Sequence, residues 1–311
     1  MRIRIPTDLH GLWSAIPTPW SASAPGQLDL GVLERNLERL VSVPVDGIYT
    51  TDSDGEFYAI EIDTFRELAQ SFAKGMSQTS LPAAMGVTWS HTEGIVERMR
   101  IALDCGITAF HVAFPFWMPL APSDMPRFWE DLARAVPNAR WIHYNTPRGH
   151  RVLSGKDYSR LHQDYPEQFV GTKLGTGNVL ELVECLSQAP EVSHFTVEYT
   201  TVPGMMWGAK GVCSYWVNTL PKWTRKMMDH CLSGEWEEAM GMQKRLLVWE
   251  ARHTAFLRQA GFLHGILGKT RGALSGFLED SGQTRPPYYP IPEELKDRYR
   301  NAFHEYWKGE Y

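Results

Sequence analysis

A chain of 311 residues with 43% hydrophobic content can bury a large core and exceeds the size of one small domain. Its formal charge of −5 contains no basic block, which excludes the electrostatic footprint of a nucleic-acid binder. The opening stretch MRIRIPTDLHGLWSAIPTPW lacks the continuous apolar core of a signal peptide, and no run approaches the roughly 20 apolar residues of a membrane span, so a soluble cytoplasmic protein without membrane contact is expected.

Strand-like and helix-like runs then alternate along the chain. LWSAIPT (12–18) precedes LGVLERNLERLVSV, in which Leu33, Leu37 and Leu40 recur at helical spacing. DGIYTT precedes TFRELAQSFAKGM, with Asp63 expected to cap the free amides of that helix. LPAAMGV leads through the capping string Ser90, His91, Thr92, Glu93 to IVERMRIALDCG, closed by Gly106. TAFHVAF precedes MPRFWEDLARAV, with Pro126 near its first turn. RWIHYN, QFVGTK, HFTVEY and GVCSYW are followed by GKDYSRLHQD, VLELVECLSQ, VPGMMWGA and LPKWTRKMMDHCL.

About eight strand-then-helix units over roughly 220 residues match a (β/α)8 TIM barrel, an α/β fold, with a doubly wound open sheet as the alternative. Beyond Ser233 the pattern is wholly helical, in the runs 235–260, 261–278 and 292–311, with the turn-rich SGQTRPPYYPIP before the last. The expected division is a barrel over 1–233 and a C-terminal helical extension over 234–311. Cys105, Cys185, Cys213 and Cys231 show no CxxC spacing and read as reduced core thiols rather than a disulfide framework or zinc site. The 12 Trp read chiefly as core fillers, with some available to line an aromatic pocket.

In such a barrel the C-terminal ends of the strands face one pocket. Tyr144 ends the fifth strand, Lys173 the sixth and Glu198 the seventh, while Ser53 to Glu56 follow the second. Two roles are open to Lys173. Desolvation at the end of an apolar strand disfavours the charged form, leaving a neutral amine able to attack a carbonyl and form an imine; alternatively the side chain snorkels from the rim to water. A protonated imine draws electrons from the adjacent carbon and permits bond cleavage or water loss beside a 2-oxo acid without a metal. Tyr144 can move protons there as a general acid and base, or serve as a core aromatic. In TTDSDGEF, Gly55 can take a positive φ and the loop amides can hold a carboxylate, although Asp52 and Asp54 would repel one; a simple Asx turn is the alternative.

Taken together and in order, these segments resemble the dihydrodipicolinate synthase and N-acetylneuraminate lyase family of class I, pyruvate-type aldolases. AIPTPW is similar to the family's A-x-x-T-P-F strand, VDGIYTTDSDGE to D-G-[IL]-x-x-x-G-T-T-G-E, and YNTP to Y-N-x-P. VGTKLGTGN is similar to V-G-I-K-D-S-S-G-D, and GAKGVCSYWVNTLP to G-A-x-G-x-I-S-x-x-A-N-x-x-P. The resemblance implies a barrel with a C-terminal helical bundle, a homotetramer, and a Schiff base between Lys173 and a 2-oxo acid. It also implies proton relay by Tyr144, contact of the loop at Ser53 and Asp54 with the substrate carboxylate, and Cys213 against bound pyruvate. No cofactor and no metal are implied.

Three positions depart from the pattern. The paired threonines become Ser53 and Asp54. Trp117 replaces a tyrosine that lysine-pathway synthases donate to the neighbouring subunit, and an indole cannot relay a proton as a phenol does. Gly149 stands where those synthases place an arginine, although Arg148 and Arg151 are near. The stretch 114–139 looks more like the hydratase-aldolase branch, which cleaves arylidene pyruvates to an aromatic aldehyde and pyruvate.

The expected function is a Schiff-base lyase, aldolase or hydratase-aldolase, taking a small-molecule 2-oxo acid and an aldehyde. Lys173 and Tyr144 are the catalytic residues, with Ser53, Asp54, Gly55, Trp117, Arg148, Glu198 and Cys213, and also His150, about the substrate. A sugar-acid dehydratase or aldolase of the same family and a catalytically silent small-acid-binding barrel are the alternatives. A metal hydrolase ranks low, because none of the 11 His forms HxH or HExxH; His111 and His143 read as core hydrogen-bonding residues.

Overall fold

The computed structural model describes residue 3 and residues 9–310. Residues 1, 2 and 4–8 of the N-terminal stretch read above as lacking a signal-peptide core therefore lie outside the described residues. Eight parallel strands close into a barrel in sequence order, which excludes the open doubly wound sheet. They are β1 (Gly11–Ile16), β2 (Gly47–Thr50), β3 (Ala83–Gly86), β4 (Ala109–Val112), β5 (Arg140–Asn145), β6 (Phe169–Leu174), β7 (Ser193–Thr196) and β8 (Gly211–Ser214).

The helices between them are α1 (Leu30–Val41), α2 (Ile62–Met76), α3 (Thr92–Asp104), α4 (Asp124–Ala135), α5 (Gly155–Asp164), α6 (Val179–Gln188), α7 (Thr201–Met206) and α8 (Pro221–Leu232). The apolar face of α1, with Leu33, Leu37 and Leu40, is buried as its spacing predicts. His91 caps α3 by accepting from the Gly94 amide. Asp63 does not cap α2: the helix begins one residue earlier, and Asp63 sits in its first turn, where a negative charge still favours the helix dipole.

Side-chain alternation divides the strands between two cores. Ile48, Phe110 and Val212 pack outward with the helices, while Trp13, Tyr49, Ala84, Ala109, Ile142, Phe195 and Cys213 pack together inside the barrel. Lys173 and Tyr144 follow the inward parity of Gly171 and Ile142. They are register partners on β6 and β5.

Beyond α8 come α9 (Trp236–Trp249), α10 (Ala255–Gln259), α11 (His264–Leu274) and α12 (Glu293–Tyr306). The run 235–260, expected as one helix, contains a π-helical turn at Glu250–Thr254 between α9 and α10. There Glu250 is buried and accepts from Arg258, Arg271, Tyr215 and Thr254, so four polar partners hold the widened turn. Trp249, Tyr299, Phe303 and Trp307 form an aromatic core that continues onto Tyr215, Trp216 and Leu220 after β8. Among the described residues no helix is long and apolar enough to cross a membrane. The four cysteines are unpaired, three buried and Cys105 half-buried.

Candidate active site

Lys173 is buried, and its Nζ donates to Asp52 Oδ2 at 2.9 Å and to the Tyr49 hydroxyl at 3.3 Å. It also lies 4.2 Å from the Tyr144 ring centroid and 4.6 Å from that of Tyr49. Burial opposes its charge, but Asp52 foremost, with Tyr49 and Tyr144, holds it well above the ordinary lysine range. The neutral resting amine expected from desolvation is therefore corrected: Lys173 rests as an ammonium in a buried ion pair. The snorkelling alternative is also excluded, because the side chain is 4% exposed.

Asp52 is the residue that the sequence reading weighed only as a repelling charge. Its Oδ2 also meets His111 Nδ1 at 2.6 Å. Burial pushes its carboxyl up, yet His111 and Lys173 together bring it down to about 2. The signal was present in VDGIYTTDSDGE, where Asp52 stands at the first glycine of the G-T-T-G-E pattern.

The loop that presents Asp52 is tightly shaped. Thr51 (φ 70°) and Glu56 (φ 53°) take left-handed conformations. Gly55 was expected to supply the positive φ, but its requirement is space: a Cβ there would lie 2.4 Å from the Thr51 amide. Gly86 likewise leaves room for Asp52, since its Cβ would come within 2.4 Å of Oδ1. Thr51 Oγ1 donates to the Gly86 carbonyl at 2.6 Å and Thr18 Oγ1 to the Gly55 carbonyl at 2.6 Å, so β1, β2 and β3 all hold the loop.

Ser53 Oγ lies 3.3 Å from the Tyr144 hydroxyl. Both line a small cavity together with Asp52, Phe57, Phe114, Phe116 and Arg148. Lys173 is not on its wall; it contacts the wall residues Asp52 and Tyr144. No tryptophan lines this cavity, so its aromatic character comes from phenylalanine and tyrosine.

Asp54 does not stand as a bare charge. Its Oδ1 meets Nδ1 of His264, the first residue of α11, at 2.9 Å. Burial raises Asp54, but His264 brings it below the usual carboxylate range; burial lowers His264, and Asp54 holds it above the usual histidine range. Helix α11 comes this close because of its glycines: a Cβ on Gly265 would lie 2.5 Å from the Ser53 carbonyl oxygen. Glu198, just beyond β7, is buried and accepts from the Tyr215 amide at 2.6 Å. Burial, then Asp54, pushes its carboxyl up to about 7.

The remaining positions divide. Cys213 is buried, its thiol pushed up by burial to about 12. Arg148 reaches the cavity from the turn after β5, whereas His150 binds the Phe116 carbonyl at 2.8 Å and ties two loops together. Trp117 is 77% exposed and off the cavity wall. His143 is a core residue bonded to the Tyr158 hydroxyl at 2.8 Å; His111 is bonded too, but into the site. His264 was missed, because its partner Asp54 is 210 residues away and no local pattern links them. Among the described residues no three His, Cys, Asp or Glu converge as metal ligands.

Known proteins share this architecture. The chain is 27% identical over 296 residues to a 4-hydroxy-tetrahydrodipicolinate synthase of Thermus thermophilus, covering 94% of each chain. It is 23% identical over 305 residues to a trans-O-hydroxybenzylidenepyruvate hydratase-aldolase of Pseudomonas aeruginosa, covering 92% of this chain and 89% of that one. Its fold superposes with a TM-score of 0.84 on a prophage protein of the dihydrodipicolinic acid synthase family from E. coli K12, crystallised with pyruvate, at 18% identity over 96% of this chain and 98% of that one. Residues 8–305 match the model of the dihydrodipicolinate synthetase family, and the chain belongs to that family.

Proposed function

We propose that the protein is a Schiff-base lyase in which Lys173 condenses with a 2-oxo acid and pyruvate is released or added. The observation that carries this reading is a buried amine packed directly against Tyr144 and Asp52, two wall residues of a cavity that the Tyr144 phenol and the Ser53 hydroxyl line together. Tyr144 moves the proton that leaves or enters the substrate, and Ser53 passes it on. The Ser53 and Asp54 amides receive the substrate carboxylate; neither makes a backbone hydrogen bond among the described residues. His264 neutralises Asp54 and so lowers the repulsion that Asp54 would exert there.

Phe57, Phe114 and Phe116 favour a flat, apolar second carbonyl, with Arg148 at the opening for a polar or anionic end. That chemistry suits an aromatic aldehyde and agrees with the hydratase-aldolase relative. Lysine biosynthesis is disfavoured by Trp117 and Gly149. Exposed Trp117 and Met118 are an apolar pair suited to a subunit interface in the homotetramer that the family resemblance implies, and a cytoplasmic location is part of the same proposal.

Borohydride reduction in the presence of pyruvate, followed by peptide mass analysis, should attach one pyruvate-derived group at Lys173. An unmodified Lys173 would reject the reading. A second reading, a silent acid-binding barrel, is favoured by the Lys173–Asp52 pair, which ties up the amine at rest. It predicts thermal stabilisation by pyruvate with no adduct and no turnover.

A further inference from the structure

Imine chemistry at Lys173, on which this inference rests, faces an obstacle in the resting site: an ammonium has no lone pair. Its proton must leave before attack on a carbonyl, and something must later protonate the departing oxygen. We infer that Asp52 is the catalytic acid–base residue of imine formation and that His111 is the positioning residue that holds it.

Three groups touch Nζ. Tyr144 presents its ring face, 4.2 Å away, rather than its hydroxyl. Tyr49 offers a hydroxyl at 3.3 Å, but burial pushes that phenol well above its usual range, so its phenolate is not a usable base. Asp52 Oδ2 is the carboxylate in contact, at 2.9 Å, and Asp52 is also on the cavity wall that Lys173 does not reach. It therefore touches both the amine and the space an arriving carbonyl would occupy.

The proton balance closes through this one group. Asp52 takes a proton from the ammonium, giving a carboxylic acid and a neutral amine. The amine adds to the carbonyl carbon: the C–N bond forms, the C=O π bond breaks, and one amine proton passes to that oxygen. Asp52 returns its proton to the resulting hydroxyl, the C–O bond breaks, and water leaves. The product is a protonated imine beside the Asp52 carboxylate, so the site ends with the charges it began with. His111, at 2.6 Å from the same Oδ2, fixes the carboxylate and is not itself on the cavity wall. The other titratable groups about Asp52 are Tyr49, Asp54 and Cys213.

The test is the rate of borohydride-trappable adduct with pyruvate, measured across pH in wild type, D52N, D52G and H111F, each checked for folding by circular dichroism. D52N should form the adduct about 100-fold more slowly, the scale of general acid–base assistance. D52G should be as slow, and added formate should recover about tenfold of that loss by filling the vacated carboxylate position, which a purely structural role would not allow. H111F should retain the adduct but move the acid limb of its pH profile upward, because His111 holds Asp52 down; this variant decides the matter if the Asp52 variants do not fold. An undiminished rate in D52N, a D52G rate above wild type, absence of formate rescue, or an unmoved H111F profile overturns the inference while leaving the lyase reading intact. Failure of wild type to form any adduct removes the lyase reading, and this inference with it.

Discussion

Tyr144 and Lys173 are register partners on adjacent parallel strands, and the lysine ammonium lies 4.2 Å from the tyrosine ring centroid. The strand pairing alone places both side chains on the inner face at one level, so neither depends on a flexible loop for its position. Replacing Tyr144 with Phe keeps the ring and removes only the hydroxyl bonded to Ser53. Turnover should fall by about 100-fold or more, while the Lys173 adduct still forms in full. Steady-state rates beside end-point trapping check this; wild-type turnover in Tyr144→Phe would remove the relay.

The buried pair has a stability consequence as well. Lys173→Met should abolish turnover and leave Asp52 buried without its cation, at a cost of about 3 kcal/mol. The double variant with Asp52→Asn should recover much of that loss, because the stranded charge is gone. Urea unfolding of wild type, Lys173→Met, Asp52→Asn and the double variant measures the coupling. Strictly additive losses would mean that the pair carries no mutual energy.

His264 compensates Asp54 beside the amides assigned to the substrate carboxylate. His264→Asn should raise the pyruvate concentration for half-maximal trapping about tenfold, and adding Asp54→Asn should largely reverse it. No change in either variant would show that the carboxylate binds elsewhere.

Glu198 titrates at about 7, raised by burial and by Asp54 from its usual 4.5. A carboxyl with a raised folded-state value favours the folded state fully below 4.5, and that contribution is lost as the pH rises through about 7. Wild type should therefore lose about 3 kcal/mol between pH 4.5 and 8 that Glu198→Gln does not lose. Parallel pH series of urea unfolding for the two proteins cancel every other titration. Curves that stay parallel across neutral pH would contradict the assignment.

Gly265 lets α11 reach the Ser53–Glu56 loop, and a Cβ there would meet the Ser53 carbonyl oxygen at 2.5 Å. Gly265→Ala should cost about 1–3 kcal/mol and should also lower the trapping rate, since the loop must shift. Lost stability with an unaltered trapping rate would separate the loop from the chemistry.

The amino-acid sequence by itself determined the order of strands and helices and the seats of Lys173 and Tyr144 at strand ends, while the strand pairing decided for a closed barrel over an open doubly wound sheet. The order and the seats follow from local periodicity, from Gly and Pro punctuation, and from the rule that strand ends face one pocket. Only the tertiary structure decided the charge on Lys173. That charge depends on Asp52, 121 residues earlier in the chain, turned inward by a left-handed Thr51 and given room by Gly86 on a third strand. The same holds for His264 and Asp54, which meet only because α11 folds back over the barrel mouth. A side chain's burial can be read from its neighbours in sequence, but its electrostatics depends on charges a few ångströms away in space, and those are set by packing.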